Sequence, residues 1–321
     1  MGIKNLNRFL YDNCNKKSIR KFHLSYLTNK TIVIDTSIYL YKYSSEGLLM
    51  ENMYLLISIL TYYKIIPIFV FDGKPPPEKR ELLKQRRLEK KDAEEKYNVI
   101  KQDLQIDHLD QKKRIEMEKL KRMFVRISDE EIKKVKDLMD SYGVTYYVAP
   151  GEADHLCAYL VNTGKAWGCI SDDMDMFLYG CKYVIRSISL LKHSAILYDT
   201  SKIWEDLEMS EQIFREIMVL SGTDYNIHSK TSLKETIRWY YEYMKYRNKE
   251  SNDKVLGFYV WLVKNTKYIA DYKELLNTYK MFSCNNCEEL EKWKMVEIRN
   301  CLPNQEQIRK IMETEGFVFC L

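Results

Sequence analysis

Ile66-Pro-Ile-Phe-Val-Phe-Asp72 is an apolar run of six residues closed by a carboxylate. A run of this length, rich in β-branched and aromatic side chains, predicts a strand buried on both faces, as strands of parallel sheets are. Asp72 then stands at its carboxyl end. The same pattern recurs on either side. Thr31-Ile-Val-Ile ends in Asp35, Val144 to Val148 leads into Glu152 and Asp154, and Ala166 to Ser171 leads into Asp173 and Asp175. Lys182 to Arg186 and Ala195 to Tyr198 read as two further strands. Amphipathic helical patterns lie between them, at Glu51 to Lys64, Ser128 to Tyr142 and Ala153 to Thr163, and the second opens on the capping-box pattern Ser128-Asp-Glu-Glu131. This alternation predicts an α/β fold, a mostly parallel twisted sheet flanked by helices. Ligands of such sheets bind outside the carboxyl ends of the strands.

The acids fall at those ends, and Asp224 follows a further apolar stretch. A single acid in such a place is an ordinary helix cap or dipole partner. Seven acids delivered by five loops to one sheet edge would repel one another unless cations sat between them, and hard divalent cations take oxygen ligands. The pattern points to a metal-dependent enzyme acting on phosphate.

Composition limits what can carry this site. With 321 residues, 45% of them hydrophobic, the chain can bury a large core, and one α/β domain with helical additions is expected. No stretch approaches the roughly 20 apolar residues of a membrane span. Met1-Gly-Ile-Lys-Asn is too polar for a signal peptide, so an intracellular, reducing location is expected. The eight cysteines are scattered and predict free thiols. Cys284-x-x-Cys287 with Cys301 and Cys320 could hold zinc, but the last two form no second close pair. From Lys74 to Arg126 there are 17 Lys or Arg against 11 Asp or Glu, whereas the whole chain carries only +5. A basic excess confined to one segment suggests contact with a polyanion there, although salt-bridged solvated helices have the same composition.

In order and spacing, Met1-Gly-Ile-Lys-Asn-Leu6, Val33-Ile-Asp-Thr-Ser37, Val70-Phe-Asp-Gly-Lys-Pro-Pro76, Ala149-Pro-Gly-Glu-Ala-Asp154, Asp172-Asp-Met-Asp175 and Ser221-Gly-Thr-Asp-Tyr225 resemble the flap endonucleases of the XPG/Rad2 superfamily. The likeness covers about residues 1–226, and more weakly Leu302-Pro-Asn-Gln-Glu306. It implies a PIN-like nuclease fold with a nuclease core over 1–226, a helical arch at about 74–126, and a helical DNA-binding region over 227–321 packed on the core. It also implies two Mg²⁺ ions, with Mn²⁺ as a substitute. Asp35, Asp72, Glu152 and Asp154 would surround the first ion, and Asp173, Asp175 and Asp224 the second. Two such ions about 3.5–4 Å apart can activate water and support the leaving oxygen in phosphodiester hydrolysis.

The same resemblance assigns Lys79 and Arg86 as the catalytic cations of the arch. Seven residues apart, they share one helix face. Tyr41 matches a tyrosine that stacks on a base at the cleavage site, with Tyr39 as a competitor, and Gly2 matches the residue that lets the N-terminus approach the site. The likeness lapses after Asp224. The family's Gly-x-Gly hairpin, which binds K⁺ and the duplex backbone, has no counterpart in Asp224-Tyr-Asn-Ile-His-Ser-Lys-Thr-Ser-Leu233, so the K⁺ site is in doubt. Ser232-Leu-Lys-Glu235 is expected to be a capping box opening a helix through Tyr246, at which Lys230, Ser232 and Lys234 could receive a phosphate. The few residues between Asp35 and the Asp72 strand suggest a shortened hydrophobic wedge. No sliding-clamp motif ends the chain, and its abundant Lys, Asn, Tyr and Ile resemble a protein of an AT-rich genome such as that of a large DNA virus.

The expected function is a structure-specific 5′ nuclease for DNA flaps or 5′ ends in DNA replication, repair or recombination. It would act as a monomer on single-strand/double-strand junctions, in the nucleus or at a viral cytoplasmic replication site, without a membrane. A ribonuclease on the same fold and a non-catalytic nucleic-acid-binding scaffold are the alternatives. The carboxylates alone do not distinguish RNA from DNA.

Overall fold

The computed structural model describes residues 3–103, 111–226, 230–249, 256–282, 293–294 and 296–319. The chain divides into two compact units, one comprising Met1–Tyr26, Asp154–Ser189 and Ser194–Val296, the other Leu27–Ala153, Leu190–His193 and Glu297–Leu321. Seven strands are described: β1 (Ile19–His23), β2 (Thr31–Asp35), β3 (Ile66–Phe71), β4 (Thr145–Val148), β5 (Gly168–Ile170), β6 (Tyr183–Ser189) and β7 (Ser194–Asp199). Their pairing is mixed and mostly parallel, as expected.

In the second unit β3 lies between β2 and β4, parallel to both, with Thr31 opposite Ile66 and Ile68 opposite Thr145. The apolar run forms a strand because both of its faces are covered: Ile68, Phe69 and Val70 are fully buried, as are Ile32, Val33 and Ile34 beside them. Pro67 is tolerated because its missing N–H falls just before the β4 ladder begins at Ile68. Helix Thr36–Ser45 follows Asp35 directly, and three residues, Glu46-Gly-Leu48, join it to helix Leu49–Tyr62. Two helices, Arg80–Asp103 and Gln111–Met123, occupy the basic segment. Tyr97 packs edge-on against Phe124 between them, and Arg126 pairs with Glu94 at 2.7 Å.

Helix Asp129–Tyr142 starts on the predicted capping box. Ser128 Oγ accepts the Glu131 N–H at 3.2 Å, and Glu131 Oε2 accepts the Ser128 N–H at 2.8 Å. It stops at Gly143, whose φ of 64° is left-handed and whose N–H returns to Asp140 O. The Cys301 N–H also binds Gly143 O at 2.7 Å, so a Cβ at Gly143 would lie 2.8 Å from Cys301 O. Gly143→Ala therefore combines a left-handed alanine with a backbone clash. We expect it to lower the unfolding free energy by about 2–4 kcal/mol, read as an earlier urea midpoint at unchanged m value.

In the first unit the order is β1-β7-β6-β5, with β5 parallel to β6 and the other two pairings antiparallel. Two details differ from expectation. Ala166 to Ser171 yields only Gly168–Ile170 as strand, because helix Ala153–Asn162 closes through left-handed Gly164 and an Ala166 N–H bond to Leu160 O. These closing bonds consume the residues read as the start of the strand. Helix Leu233–Arg247 has Ser232 as its N-cap, but only half of the box forms. Ser232 Oγ accepts the Glu235 N–H at 3.4 Å, while the Ser232 N–H goes to the Tyr268 hydroxyl at 3.2 Å instead of to the Glu235 carboxylate.

Among the described residues no helix is long and apolar enough to cross a membrane. Among the described residues Cys14, Cys169 and Cys301 are free thiols. Burial, with Asp206 nearby, pushes the Cys14 thiol up to about 12. Cys284, Cys287 and Cys320 of the zinc reading lie outside the described residues.

Candidate active site

In the unit containing β2–β4, the strand ends carry the acids. Asp35, only 4% exposed, closes β2 and precedes helix Thr36–Ser45. Asp72 follows β3, where its amide donates to Ser37 Oγ at 3.2 Å and its Oδ1 accepts the Ala153 N–H at 2.8 Å. Asp72 thus holds the first residue of the helix that follows Glu152. The two acid-bearing loops are also joined by backbone: the Gly73 N–H donates to Gly151 O at 2.7 Å and the Lys74 N–H to Pro150 O at 3.3 Å. This approach requires glycine, since a Cβ on residue 73 would stand 1.9 Å from Ala149 O.

Lys79 ends the short turn Pro77–Lys79, and its Nζ lies 2.6 Å from Glu152 Oε1. It is 7% exposed, and lysine is almost never buried unless paired. Arg86 is half-buried one further stretch along helix Arg80–Asp103. Tyr39 and Tyr41 separate cleanly: Tyr39 is fully buried, and Tyr41 is half exposed with Lys90 Nζ 5.0 Å from its ring centre. Lys90 was missed in the sequence, although it lies four residues after Arg86 and hence on the same helix face. Its ammonium donates to Val125 O at 3.0 Å. Burial, then Arg126 and Arg86, hold its pKa below the ordinary lysine value. Lys90 thus links the basic residues Arg86 and Arg126 to an exposed ring.

In the other unit Asp154 is half-buried at the start of helix Ala153–Asn162. Asp173 and Asp175 are buried after β5, with the Asp173 N–H on Ser171 Oγ at 3.1 Å and the Asp175 N–H on Asp173 Oδ1 at 3.0 Å. Asp172 has a different task. Its Oδ1 accepts the Ser187 N–H at 2.8 Å, so of the three aspartates in the motif it is spent on the backbone of β6. Asp224 is half-buried in a loop fixed by Asn226, whose Oδ1 accepts from Thr223 N and Oγ1 and whose Nδ2 donates to Val219 O at 3.0 Å.

Tyr179 was also missed. Its hydroxyl lies 3.4 Å from that of Tyr225, and its ring meets His155 edge-on at 4.9 Å, which makes His155 a packing residue. Burial above all, then Tyr225 and the carboxylates of Asp154 and Asp175, raise its pKa well above the ordinary tyrosine value. A neutral O–H is therefore kept beside the acids. Its place four residues after Asp175 was the available signal. Lys230, Ser232 and Lys234 are exposed at the start of helix Leu233–Arg247, and Gly2 lies outside the described residues.

Among the described residues no three His, Cys, Asp or Glu side chains stand close enough together to hold an ion as they are. Like-charged carboxylates repel, and at Glu152 the Lys79 ammonium is the counter-ion. The donor set still fits hard divalent cations. It consists of carboxylate oxygens without cysteine or coordinating histidine, and a cation is accommodated at Glu152.

Two family models match the chain: the XPG N-terminal domain over residues 1–93 and the XPG I-region over residues 143–224. Flap endonuclease 1 of Meyerozyma guilliermondii is 30% identical over 244 residues, spanning 70% of this chain and 63% of the relative. The chain thus spans less than two thirds of the length of that relative. The catalytic core of Rad2 in complex with DNA substrate superposes with a TM-score of 0.67 at 21% identity, covering 98% of this chain and 96% of that one. Flap endonuclease-1 from Methanococcus jannaschii gives 0.60 at 21% identity, covering 92% and 90%. At such identities the structural likeness establishes the fold, which is the PIN-like nuclease fold expected.

Proposed function

The chain belongs to the XPG/Rad2 family of flap endonucleases, and from that premise we propose that it hydrolyses DNA phosphodiesters at 5′ flaps or 5′ ends. The observation that carries this reading is Lys79, a buried cation held 2.6 Å from Glu152 at the base of the basic helices. A buried ammonium beside carboxylates that fit hard cations is suited to meeting a phosphate group. Residues 1–226 would form the nuclease core with an arch at about 74–126, and 227–321 a DNA-binding region.

Two Mg²⁺ ions, with Mn²⁺ able to substitute, would be held by Asp35, Asp72, Glu152 and Asp154 and by Asp173, Asp175 and Asp224. When bound, such a pair supplies activation of water and stabilisation of the charge on phosphorus and on the leaving oxygen. Lys79 and Arg86 would neutralise charge on the transferring phosphate from the arch side. Tyr41, exposed and flanked by Lys90, offers a face on which a base could stack. Lys230, Ser232 and Lys234 would grip the duplex backbone through charge and the N–H groups of a helix start. The protein would act as a monomer on DNA with single-strand/double-strand junctions.

A digestion panel tests the reading. Labelled flap, nicked, gapped and Holliday-junction DNA and an RNA flap are incubated with the protein in Mg²⁺ and in EDTA. We expect cleavage of the 5′-flap DNA, loss of it in EDTA, and recovery with excess Mg²⁺. Cleavage of RNA alone would favour a ribonuclease, and no cleavage of any substrate would sink the enzymatic reading.

A further inference from the structure

The peptide group joining Asp172 to Asp173 is held at both ends. Its carbonyl accepts from Arg186 Nη2 at 2.8 Å, and its N–H donates to Ser171 Oγ at 3.1 Å. The residues on either side of that peptide are pinned as well. Asp172 Oδ1 accepts the Ser187 N–H at 2.8 Å, and Asp173 Oδ1 accepts the Asp175 N–H at 3.0 Å. With the peptide plane fixed and one carboxylate oxygen engaged, the direction in which Asp173 presents its other oxygen is set.

Arg186 is clamped in its turn. Its Nη1 donates to Asn7 Oδ1 at 2.9 Å, and the Tyr198 hydroxyl donates to the same oxygen at 2.7 Å. The Tyr198 ring lies against the guanidinium, 5.6 Å from Cζ to its centre. The pairing of β6 with β7 shifts register between Arg186 and Ser189, and Ser187 takes a left-handed φ of 55°. A bulge of this kind re-aims a side chain. Here it turns the Ser187 N–H to Asp172 next to Arg186, so that two successive residues of β6 grip the acid-bearing turn. Two divergent acceptors and a neighbouring aromatic ring suit a planar fork of donors and do not suit a point charge.

We propose that Arg186 is the positioning residue for the Asp173–Asp175 pair, acting through the Asp172–Asp173 peptide without touching ion or DNA. The proposal rests on the reading of Asp173 and Asp175 as metal ligands. Groups that orient ligands from one layer out typically change metal affinity by about 10–100-fold when they are removed.

The test is a Mn²⁺ titration of the full chain without DNA, with free Mn²⁺ followed by its EPR signal, and with circular dichroism and melting recorded alongside. Arg186→Met is expected to weaken Mn²⁺ binding by about tenfold or more with the fold retained. Arg186→Lys keeps the charge and most of the packing, guards against a Met variant that does not fold, and is expected to weaken binding by a similar factor. A purely structural role would lower the melting temperature and leave Mn²⁺ affinity unchanged. Wild-type affinity in the folded Arg186 variants, with weakened binding in Asp173→Asn, overturns this inference alone. Wild-type affinity in Asp173→Asn as well overturns the ligand reading on which it stands.

Discussion

Alanine at Lys79 is expected to slow single-turnover cleavage of a 5′-flap duplex by about 10²–10³-fold, the range seen when one preorganised donor to a charged transition state is removed. Affinity for the flap should fall far less. The reason lies in how the ammonium is held. Pro75-Pro-Pro77 stiffens the approach to the turn, Pro76 sits at φ −68°, and the Lys79 N–H closes back on Pro76 O at 3.2 Å. The side chain is then buried with Nζ on Glu152. An ammonium has three donors, so it can keep Glu152 and still meet a phosphate oxygen, with little reorganisation during the reaction. Rate and affinity are separable by measuring cleavage at saturating enzyme and binding in Ca²⁺. Equal losses in both would assign Lys79 to gripping DNA and remove it from the chemistry.

Gly73→Ala is the second large effect. A methyl group there would meet Ala149 O at 1.9 Å, and Ala149 C and Pro150 C at 3.0 Å, all of them backbone atoms that cannot rotate away. The loops bearing Asp72 and Glu152 must then separate, which loses the bonds from Gly73 N to Gly151 O and from Lys74 N to Pro150 O and pulls Asp72 Oδ1 from the Ala153 N–H. Overpacking together with about 1 kcal/mol for each of the three bonds lost gives about 4–6 kcal/mol of destabilisation. Activity should fall further than stability does, because displacing reacting groups by about 1 Å can cost about 10²-fold in rate. The check is a urea midpoint together with flap cleavage under conditions where the variant is still folded. A variant matching wild type in both would show that the two loops do not approach as closely as described.

Much of this site was readable along the chain. Ile66–Phe71 announced itself because six apolar residues in a row have few other uses, and the acid after them could only lie at the strand end. β1 did not, because Ile19-Arg-Lys-Phe-His is neither an apolar run nor a regular alternation, with two charged residues between its two apolar ones, and it gains its order from antiparallel pairing with β7. The choice between Tyr39 and Tyr41 was open for a related reason. Residues two apart on a helix point in nearly opposite directions, so the sequence required that they differ but could not say which would be buried. Packing buried Tyr39 and exposed Tyr41 beside Lys90.

By itself, then, the sequence determined the described strands other than β1, the placing of the acids in the loops after strands and at helix starts, and the spacing of Lys79 and Arg86, because these depend on local periodicity and chain direction. Only the tertiary structure decided that Lys79 is buried against Glu152, that Gly73 must have no side chain, that Asp172 takes the Ser187 N–H of β6, and that Arg186 holds the peptide between Asp172 and Asp173. Each of these depends on residues well apart in the chain coming within a few ångströms of one another. Local propensity carries no information about such distances.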